Sequence, residues 1–452
     1  MSRKYFGTDG IRGRFGDERM NPGFARRLGR AAGCVFSRET EGPLVVVLGR
    51  DTRASGPALE EALARGLSAS GATVLLLGVA PTPAVALAVR QHGAALGVVV
   101  TASHNPADDN GIKFLTGDGG KLTDAQEEAV ERMIESDAGT PAGCPGDVRD
   151  APELAFYRER MGAVLPAGAL DGWRIVLDTA HGAACETAPA VLAGLGADLI
   201  LQGNRPDGTN INAGVGSEHP AGVAARVKES GARLGLALDG DGDRIVAVDE
   251  TGEVLAGDAV LVLLARHALA RDALAHKTLV ATVQSNLGLD AALRVAGGRV
   301  ERTEVGDRNV LERMRTGGFT LGGESSGHIS FSDISPIGDG LLSALKLLEV
   351  MIATGGDNRL SRLKRCYRPF PQATAAVRVT DKPPLDRLHG LAETIRRAEG
   401  GLGETGRLLV RYSGTEDKLR LLVEGPDASA VEHWLERLKQ AVRDEGIVAG
   451  DR

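Results

Sequence analysis

The sequence lacks paired cysteines, blocks of like charge and long apolar runs, and each absence excludes a class of protein. Only four cysteines occur in 452 residues, far apart and without a C-x-x-C pair. A disulfide framework or a cysteine-ligated zinc site is therefore not expected, and the cysteines fit a reduced, cytosolic chain. The net charge is −7 without a run of five like charges, so the sequence predicts no nucleic-acid-binding face.

Signals for membranes and nucleotides are also missing. The first residues contain no apolar segment typical of a signal peptide, and no uncharged apolar run approaches membrane-spanning length. We therefore expect a cytoplasmic chain without a membrane partner. A Walker A sequence is absent. Gly401–Gly406 matches the dinucleotide fingerprint by letter, but it follows a predicted helix and precedes a strand, the reverse of the required order.

What is present is a repeated alternation of strands and helices. It predicts three α/β domains at residues 1–150, 151–254 and 255–367, and a smaller α+β domain at 368–452. Asp137–Pro152 is rich in Gly, Pro and Asp and is typical of a linker. The clearest predicted elements are strands at Thr73–Leu77, Ala95–Val100, Gly235–Leu238 and Ile245–Val248, helices at Gly56–Ser70 and Thr82–His92, and a helix opened by a capping box at Thr123 to Gln126.

A serine follows the most apolar strand of the first domain. Ala95–Val100 runs into the sequence T-A-S-H-N-P, and a buried parallel strand presents such a loop at the ligand-binding edge of a sheet. Ser103 stands beside the imidazole of His104, and Lys113 follows a predicted Asn110-Gly111 turn. The alternative is an ordinary turn with a surface serine.

Three aspartates separated by glycines form the second signal. A tight loop can turn Asp239, Asp241 and Asp243 toward one point, where their like charges require a cation. Oxygen ligands without Cys or His favour Mg²⁺, with Ca²⁺ or Mn²⁺ as alternatives. An EF-hand is excluded because Arg244 occupies the position that needs glycine. A plain acidic turn is the remaining alternative.

The third signal is the glycine-rich segment Leu321–His328. Its G-x-S-x-G letters match a hydrolase nucleophile elbow, but no helix is predicted after them, so a hydrolase is not expected. Glu324, Ser326 and His328 form a short polar loop that suits the hydroxyls or amine of a sugar-sized ligand. The alternative is a structural glycine turn.

The fourth signal lies in the last domain, where a strand ends in an arginine followed by Ser-Gly-Thr. Hydroxyls, backbone N–H groups and a guanidinium are the donors that a phosphate dianion requires. A Ser-Gly hairpin turn is the alternative. The residues concerned are Arg411, Ser413, Gly414 and Thr415, with Arg420 beyond.

Two weaker segments complete the set. The glycine-rich opening Phe6–Gly13 offers Thr8, Asp9 and Arg12 as polar contacts, or it is an N-terminal hairpin. Asn210–Gly216 is interpreted as a structural loop that supports the aspartate turn.

Taken together, the four loops resemble those of the α-D-phosphohexomutase superfamily, in order and over essentially the whole chain. The opening segment, Asp109–Lys113 and Val305–Arg308 look most like the bacterial branch that acts on glucosamine phosphates. The resemblance implies a four-domain architecture with mixed sheets, in which one loop from each domain lines a central cleft. Tyr412, Asp417 and Ser325 depart from the usual pattern of the phosphate and sugar loops.

The resemblance also implies roles for the residues. Ser103 would be the phosphoserine, and one Mg²⁺ would be held by Asp239, Asp241, Asp243 and a phosphoserine oxygen. The catalytic base is left open between His104, Lys113 and His328. The implied substrate contacts are Arg12, Arg244, Glu324 and Ser326, with Arg411, Ser413, Gly414, Thr415 and Arg420 at the distal phosphate.

The implied activity is isomerisation of glucosamine 6-phosphate and glucosamine 1-phosphate through a 1,6-bisphosphate, for UDP-N-acetylglucosamine and peptidoglycan synthesis. Glucosamine or glucose 1,6-bisphosphate would be the activator, and the chain would be a monomer or homodimer. A phosphomannomutase or phosphoglucomutase with the same mechanism is the first alternative. A metal-dependent phosphomonoesterase and a non-catalytic sugar-phosphate sensor are the others.

Overall fold

The computed structural model describes residues 4–7, 9–136, 145–152, 154–413 and 417–449. The chain divides into two compact units. The larger comprises Met1–Val283 and Glu301–Arg365, and the smaller comprises Gln284–Val300 and Cys366–Arg452. Within the described ranges, no helix combines the length and the apolar character needed to cross a membrane.

The chain begins with a six-stranded mixed sheet. Its elements are β1 (Ile11–Arg14), α1 (Pro22–Glu39), β2 (Val45–Arg50), α2 (Gly56–Ala69), β3 (Thr73–Val79), α3 (Thr82–Gln91), β4 (Leu96–Val100), β5 (Asp109–Thr116), α4 (Asp124–Glu135) and β6 (Val148–Asp150). The strand order is β1-β5-β4-β2-β3-β6. Every residue of β4 is buried between parallel β2 and antiparallel β5, so the serine loop leaves the middle of the sheet.

Two sequence predictions are wrong in this region. The Asn110-Gly111 pair lies inside β5 and not in a turn. Glycine is needed there because a Cβ atom on Gly111 would lie 2.4 Å from the carbonyl oxygen of Thr101. Part of the predicted linker is β6, which pairs in parallel with β3, while residues 137–144 of that linker lie outside the described residues.

Two further sheets follow along the chain. The elements of the second are α5 (Ala155–Gly162), β7 (Arg174–Asp178), α6 (Thr187–Gly194), β8 (Asp198–Gln202), α7 (Ala221–Ser230), β9 (Leu234–Leu238) and β10 (Ile245–Asp249), with strand order β10-β9-β7-β8. The next elements are α8 (Gly257–Ala270), β11 (Thr278–Thr282), α9 (Gly288–Val295), β12 (Arg299–Thr303), α10 (Asp307–Gly317), β13 (Leu321–Gly323), β14 (Ile329–Phe331), α11 (Gly340–Thr354) and α12 (Leu360–Leu363), with order β12-β11-β13-β14. In both sheets an antiparallel edge strand joins strands that pair in parallel, β10 on β9 and β14 on β13.

The last sheet has three antiparallel strands. Its elements are β15 (Gln372–Arg378), α13 (His389–Leu402), β16 (Arg407–Tyr412), β17 (Lys418–Glu424) and α14 (Ala428–Asp444), and the strand order is β15-β17-β16. Leucines and valines of β17 and α14 form a core of their own. The expected fold class, three α/β domains with mixed sheets and a smaller C-terminal α+β domain, is confirmed.

Candidate functional site

Ser103 lies in a strained loop directly after β4. Its φ angle is 53°, in the left-handed region that non-glycine residues rarely adopt. The side chain is 1% exposed, and Oγ donates a hydrogen bond of 2.6 Å to Oδ2 of Asp239. Nδ1 of His104 lies 3.4 Å from the same Oγ. The fold therefore brings the predicted phosphoserine position against the first of the three aspartates.

The three aspartates are buried together in the loop between β9 and β10. One oxygen of each lies within 4.8 Å of the others. Oδ1 of Asp241 and Oδ1 of Asp243 are buried, and the described part of the chain supplies neither with a hydrogen-bond partner. Burial and the charges of Asp243 and Asp241 raise the pKa of Asp239 well above its usual range. An oxygen-only donor set with unpartnered buried oxygens fits a hard divalent cation.

Lys113 provides positive charge at the same place. It projects from β5, and its Nζ lies 2.9 Å from Asp241, 3.0 Å from Asp9 and 3.5 Å from Asp243. Burial opposes the charged form, but the carboxylates of Asp241 and Asp9 raise the pKa of Lys113 well above its usual range. Arg12 joins the cluster indirectly, because its guanidinium donates to Asp9 at 2.7 Å. Thr8 lies outside the described residues.

His328 is 4% exposed and lies between two carboxylates. Nδ1 is 3.6 Å from Asp243 and Nε2 is 3.4 Å from Asp307. Burial disfavours the imidazolium, but Asp243 and Asp307 raise the pKa of His328 to about 9. Lys121 continues the chain of alternating charge, with Nζ at 2.5 Å from Asp307 and 2.6 Å from Asp9.

His104 has the opposite electrostatic environment. It is partly buried, and this burial, together with the charge of Arg244, lowers the pKa of His104 below its ordinary value of 6.5. Arg244 is partly buried and lies 3.8 Å from Asp243 and 3.9 Å from Glu218. Burial opposes its charge, but Asp243 and Asp239 raise the pKa of Arg244 further. The site therefore contains one histidine that favours the neutral form and one that favours the charged form.

The glycine-rich loop contacts the aspartate loop through its backbone. The N–H of Ile245 donates to the carbonyl of Gly327 at 3.1 Å. A side chain at Gly327 would collide with this strand, because its Cβ would lie 2.0 Å from the carbonyl oxygen of Ile245. Oε1 of Glu324 accepts the N–H of Gly306 at 3.0 Å, and Ser326 is exposed. The predicted sugar loop thus lies beside the aspartate loop with an accessible hydroxyl.

The predicted phosphate loop follows β16 in the smaller unit, and Arg411 and Ser413 are among its described residues. Arg411 is directly opposite Arg420, and Arg378 is opposite Lys418 on the same face. These four side chains place positive charge on one face of the sheet, as a phosphate site would require. Ser413 is buried, and its N–H bonds to the carbonyl of Lys418 at 2.8 Å. Gly414 and Thr415 lie outside the described residues.

Sequence reasoning missed three charged residues of the site. Lys121 and Asp307 form an ion pair across 186 positions of the chain, and the guanidinium of Arg53 donates to a backbone carbonyl of the serine loop. These contacts join distant segments and cannot be read from neighbouring residues. Asn212 lies in the loop predicted to support the aspartate turn. Its amide donates to backbone carbonyls of the serine loop.

Comparison with protein families gives matches over four consecutive segments. The model described as Phosphoglucomutase/phosphomannomutase, alpha/beta/alpha domain I matches residues 3–140. Domains II and III of the same description match 158–252 and 256–370, and the C-terminal domain matches 375–441. The boundaries derived above from composition stay a prediction.

Individual relatives match over nearly the whole chain. Phosphoglucosamine mutases from Anaeromyxobacter dehalogenans and Halorhodospira halophila are each 47% identical, covering 95% and 96% of this chain and 96% of each relative. A solved phosphoglucomutase/phosphomannomutase family protein from Burkholderia thailandensis superimposes with a TM-score of 0.82 at 26% identity, covering 99% of this chain and 98% of that one.

Proposed function

Because the chain belongs to the phosphoglucomutase/phosphomannomutase family of enzymes, we propose that it interconverts glucosamine 6-phosphate and glucosamine 1-phosphate. The geometry that supports this is the 2.6 Å contact of Ser103 Oγ with a buried cluster of three aspartates. The choice of glucosamine rests on relatives of that name at 47% identity over nearly the full length. The product would supply UDP-N-acetylglucosamine and peptidoglycan synthesis.

Ser103 would carry the phosphoryl group that moves. Asp239, Asp241, Asp243 and a phosphoserine oxygen would hold one Mg²⁺, which when bound neutralises negative charge on the transferred phosphoryl group. Phosphoryl transfer needs positioning and neutralisation more than covalent activation. Lys113 and Arg244, both positively charged and beside the aspartates, would contribute to that neutralisation.

The two histidines would have different tasks. His104 lies next to Ser103 and has a lowered pKa, so its neutral imidazole can accept the proton of the attacking sugar hydroxyl. Lys113 and His328 have raised pKa values and keep their protons, so they stabilise negative charge. These pKa directions favour His104 as the base among the three residues that the sequence leaves open.

The remaining polar loops would bind the substrate. Glu324 and Ser326 would contact the sugar ring, and Arg12 would act there with Arg244. The arginines of the β16–β17 hairpin would bind the phosphate that is not being transferred, because they form a basic face there.

The 1,6-bisphosphate of glucosamine would be the intermediate, and it or glucose 1,6-bisphosphate would restore phosphoserine after its loss. A phosphomonoesterase would need no second phosphate site, so the hairpin favours a mutase.

A second candidate function is supported by the family description, which names glucose and mannose mutases. The same site could isomerise glucose or mannose phosphates, because the carboxylate of Glu324 and the hydroxyl of Ser326 can accept hydrogen bonds from a sugar hydroxyl as well as from an amine. Comparing kcat/KM for glucosamine, glucose and mannose 6-phosphates decides between them. Glucosamine 6-phosphate is expected to have the highest value.

Replacement of Ser103 by alanine tests the mechanism. Wild-type protein should carry phosphate on Ser103 by intact-mass analysis and should isomerise glucosamine 6-phosphate with Mg²⁺ and bisphosphate, followed by phosphorus NMR. Ser103→Ala should lose the phosphate and lower turnover by at least about 10³-fold. Ser230→Ala, on the last turn of α7 and outside the site, is the control and should behave as wild type. Full activity in Ser103→Ala would rule out this mechanism.

A further inference from the structure

Arg53 is fully buried and its donors converge on the backbone of the serine loop. Nε pairs with the carboxylate of Asp51 at 2.9 Å, and both side chains are 0% exposed. The other four donors bind carbonyl oxygens, Nη2 those of Ser103 at 3.1 Å and Asn105 at 2.8 Å, and Nη1 those of Pro106 and, at 2.9 Å, Asp109. All five guanidinium N–H groups are therefore engaged.

Asn212 holds the same loop from a different part of the chain. Its Nδ2 donates to the carbonyl oxygens of Ser103 and Asn105, each at 2.9 Å. Asn212 is itself 8% exposed and has a φ of 58°. Two side chains, one on the turn after β2 and one on the loop before α7, thus bind the same two carbonyls.

These contacts explain how the serine loop keeps an unfavourable shape. A left-handed residue that is not glycine costs free energy and persists only where its surroundings hold it. The carbonyl of Ser103 is bound by both Arg53 and Asn212, so the peptide unit that sets the direction of the serine side chain is held from two sides. Binding to the guanidinium also offsets the negative end of each carbonyl, which lowers the repulsion that a phosphoryl group would meet.

We propose that Arg53 and Asn212 are positioning residues, which hold the hydroxyl of Ser103 against Asp239 for phosphoryl transfer. Burial of an arginine costs free energy that an apolar residue of similar volume would not. An arginine is present here because its planar guanidinium can bind four carbonyl oxygens at once. The proposal rests on the function proposed above, because it gives Ser103 the phosphoryl group.

Arg53→Lys tests whether the guanidinium geometry is needed, because it keeps a positive charge opposite Asp51. An ammonium has three donors on one nitrogen and cannot bind four separate carbonyls together with Asp51. A displacement of Ser103 by about 1 Å is expected to lower kcat by about 10²-fold, with KM for glucosamine 6-phosphate within about threefold. The decisive measurement is the single-turnover rate of phosphoryl transfer per phosphorylated enzyme, which a loss of folded protein alone does not change.

Asn212→Gly provides an independent variant. Glycine tolerates the left-handed backbone of this position, so the variant removes the two carbonyl contacts without adding strain. The single-turnover rate of Asn212→Gly should fall by about tenfold or more. If Arg53→Lys does not fold, this variant alone tests the positioning role. Thr52→Val is the matched control. It removes a 2.5 Å hydrogen bond from the same turn to the carbonyl of His181 without touching the serine loop, and should keep the wild-type rate.

The outcomes separate this proposal from the proposed function. If wild-type protein carries phosphoserine and isomerises its substrate, but both variants transfer phosphate at the wild-type rate, the positioning role is overturned and the function stands. Absence of phosphoserine and of isomerisation in the wild type overturns both. Slow transfer in the two variants, with normal transfer in Thr52→Val, supports the positioning role.

Discussion

Two histidines of the site differ in protonation because their neighbours differ. His328 lies between the carboxylates of Asp243 and Asp307, whereas His104 experiences burial and the positive charge of Arg244. The folded-state pKa of His328 is about 9, above its ordinary value of 6.5. Its charge therefore contributes stability, about 3 kcal/mol, that is fully present below pH 6.5 and is lost as the pH rises through 9.

The titration of these rings can be measured directly. In protein freed of metal by a chelator, histidine NMR signals assigned with His328→Gln and His104→Gln should show His328 titrating near pH 9 and His104 below 6.5. His104 moves down because burial and Arg244 both disfavour its charged form. Titration of both rings near 6.5 would contradict the charge assignment and remove the argument for His104 as the base.

Loops of the larger unit approach each other so closely that a single methyl group would separate them. A Cβ on Gly240 would lie 2.5 Å from the carbonyl oxygen of Ser103 and 2.8 Å from Nδ2 of Asn212. Gly240→Ala should therefore displace the serine loop from the aspartates and lower kcat by about 10²-fold. Gly194→Ala is the control, since nothing lies within 4 Å of a Cβ there, and it should keep full activity. Equal activity of the two variants would show that the close packing of Gly240 against the serine loop is not needed for turnover.

The β16–β17 hairpin should act on binding more than on turnover. Arg411→Met removes one of two arginines that face each other across the strands. A charged hydrogen bond to phosphate contributes about 1.5–3 kcal/mol, so KM for the sugar phosphate should rise about 10- to 100-fold with a smaller change in kcat. Arg443→Met, on the exposed end of α14, should leave both constants unchanged. An unchanged KM in Arg411→Met would remove the phosphate role of the hairpin.

Local sequence patterns predicted most of the strands and helices around the site, but they did not predict the side-chain contacts between distant segments. The buried strand predicted at Ala95–Val100 is β4 at Leu96–Val100, and the capping box at Thr123 forms as expected. Strand β5 was missed because its Asn-Gly pair is typical of a turn, whereas the glycine is required by the neighbouring backbone. Lys121 and Asp307 form their ion pair only after folding. A pattern that depends on distant residues leaves no local signal.

Across the larger unit, buried and half-buried charges connect segments that are far apart in the chain. Asp9, Lys121, Asp307, His328 and Asp243 alternate in sign, each within 3.6 Å of the next. Removal of one member would leave each neighbour with one counter-charge fewer in a largely desolvated site, which is destabilising. The aspartate cluster therefore depends on residues of the N-terminal segment and of α10 as well as on its own loop.

Cation binding should stabilise only the unit that contains the aspartates. Two compact units predict two thermal transitions. Mg²⁺ at 100 times its Kd adds about 3 kcal/mol to the unit that binds it, which raises the midpoint of a unit of this size by roughly 4 °C. Asp239→Asn should abolish the shift while keeping the fold, because burial and its acidic neighbours already favour the neutral form of Asp239. Calorimetry with Mg²⁺ and with chelator would contradict the site if the shift persisted in Asp239→Asn or occurred in the smaller unit.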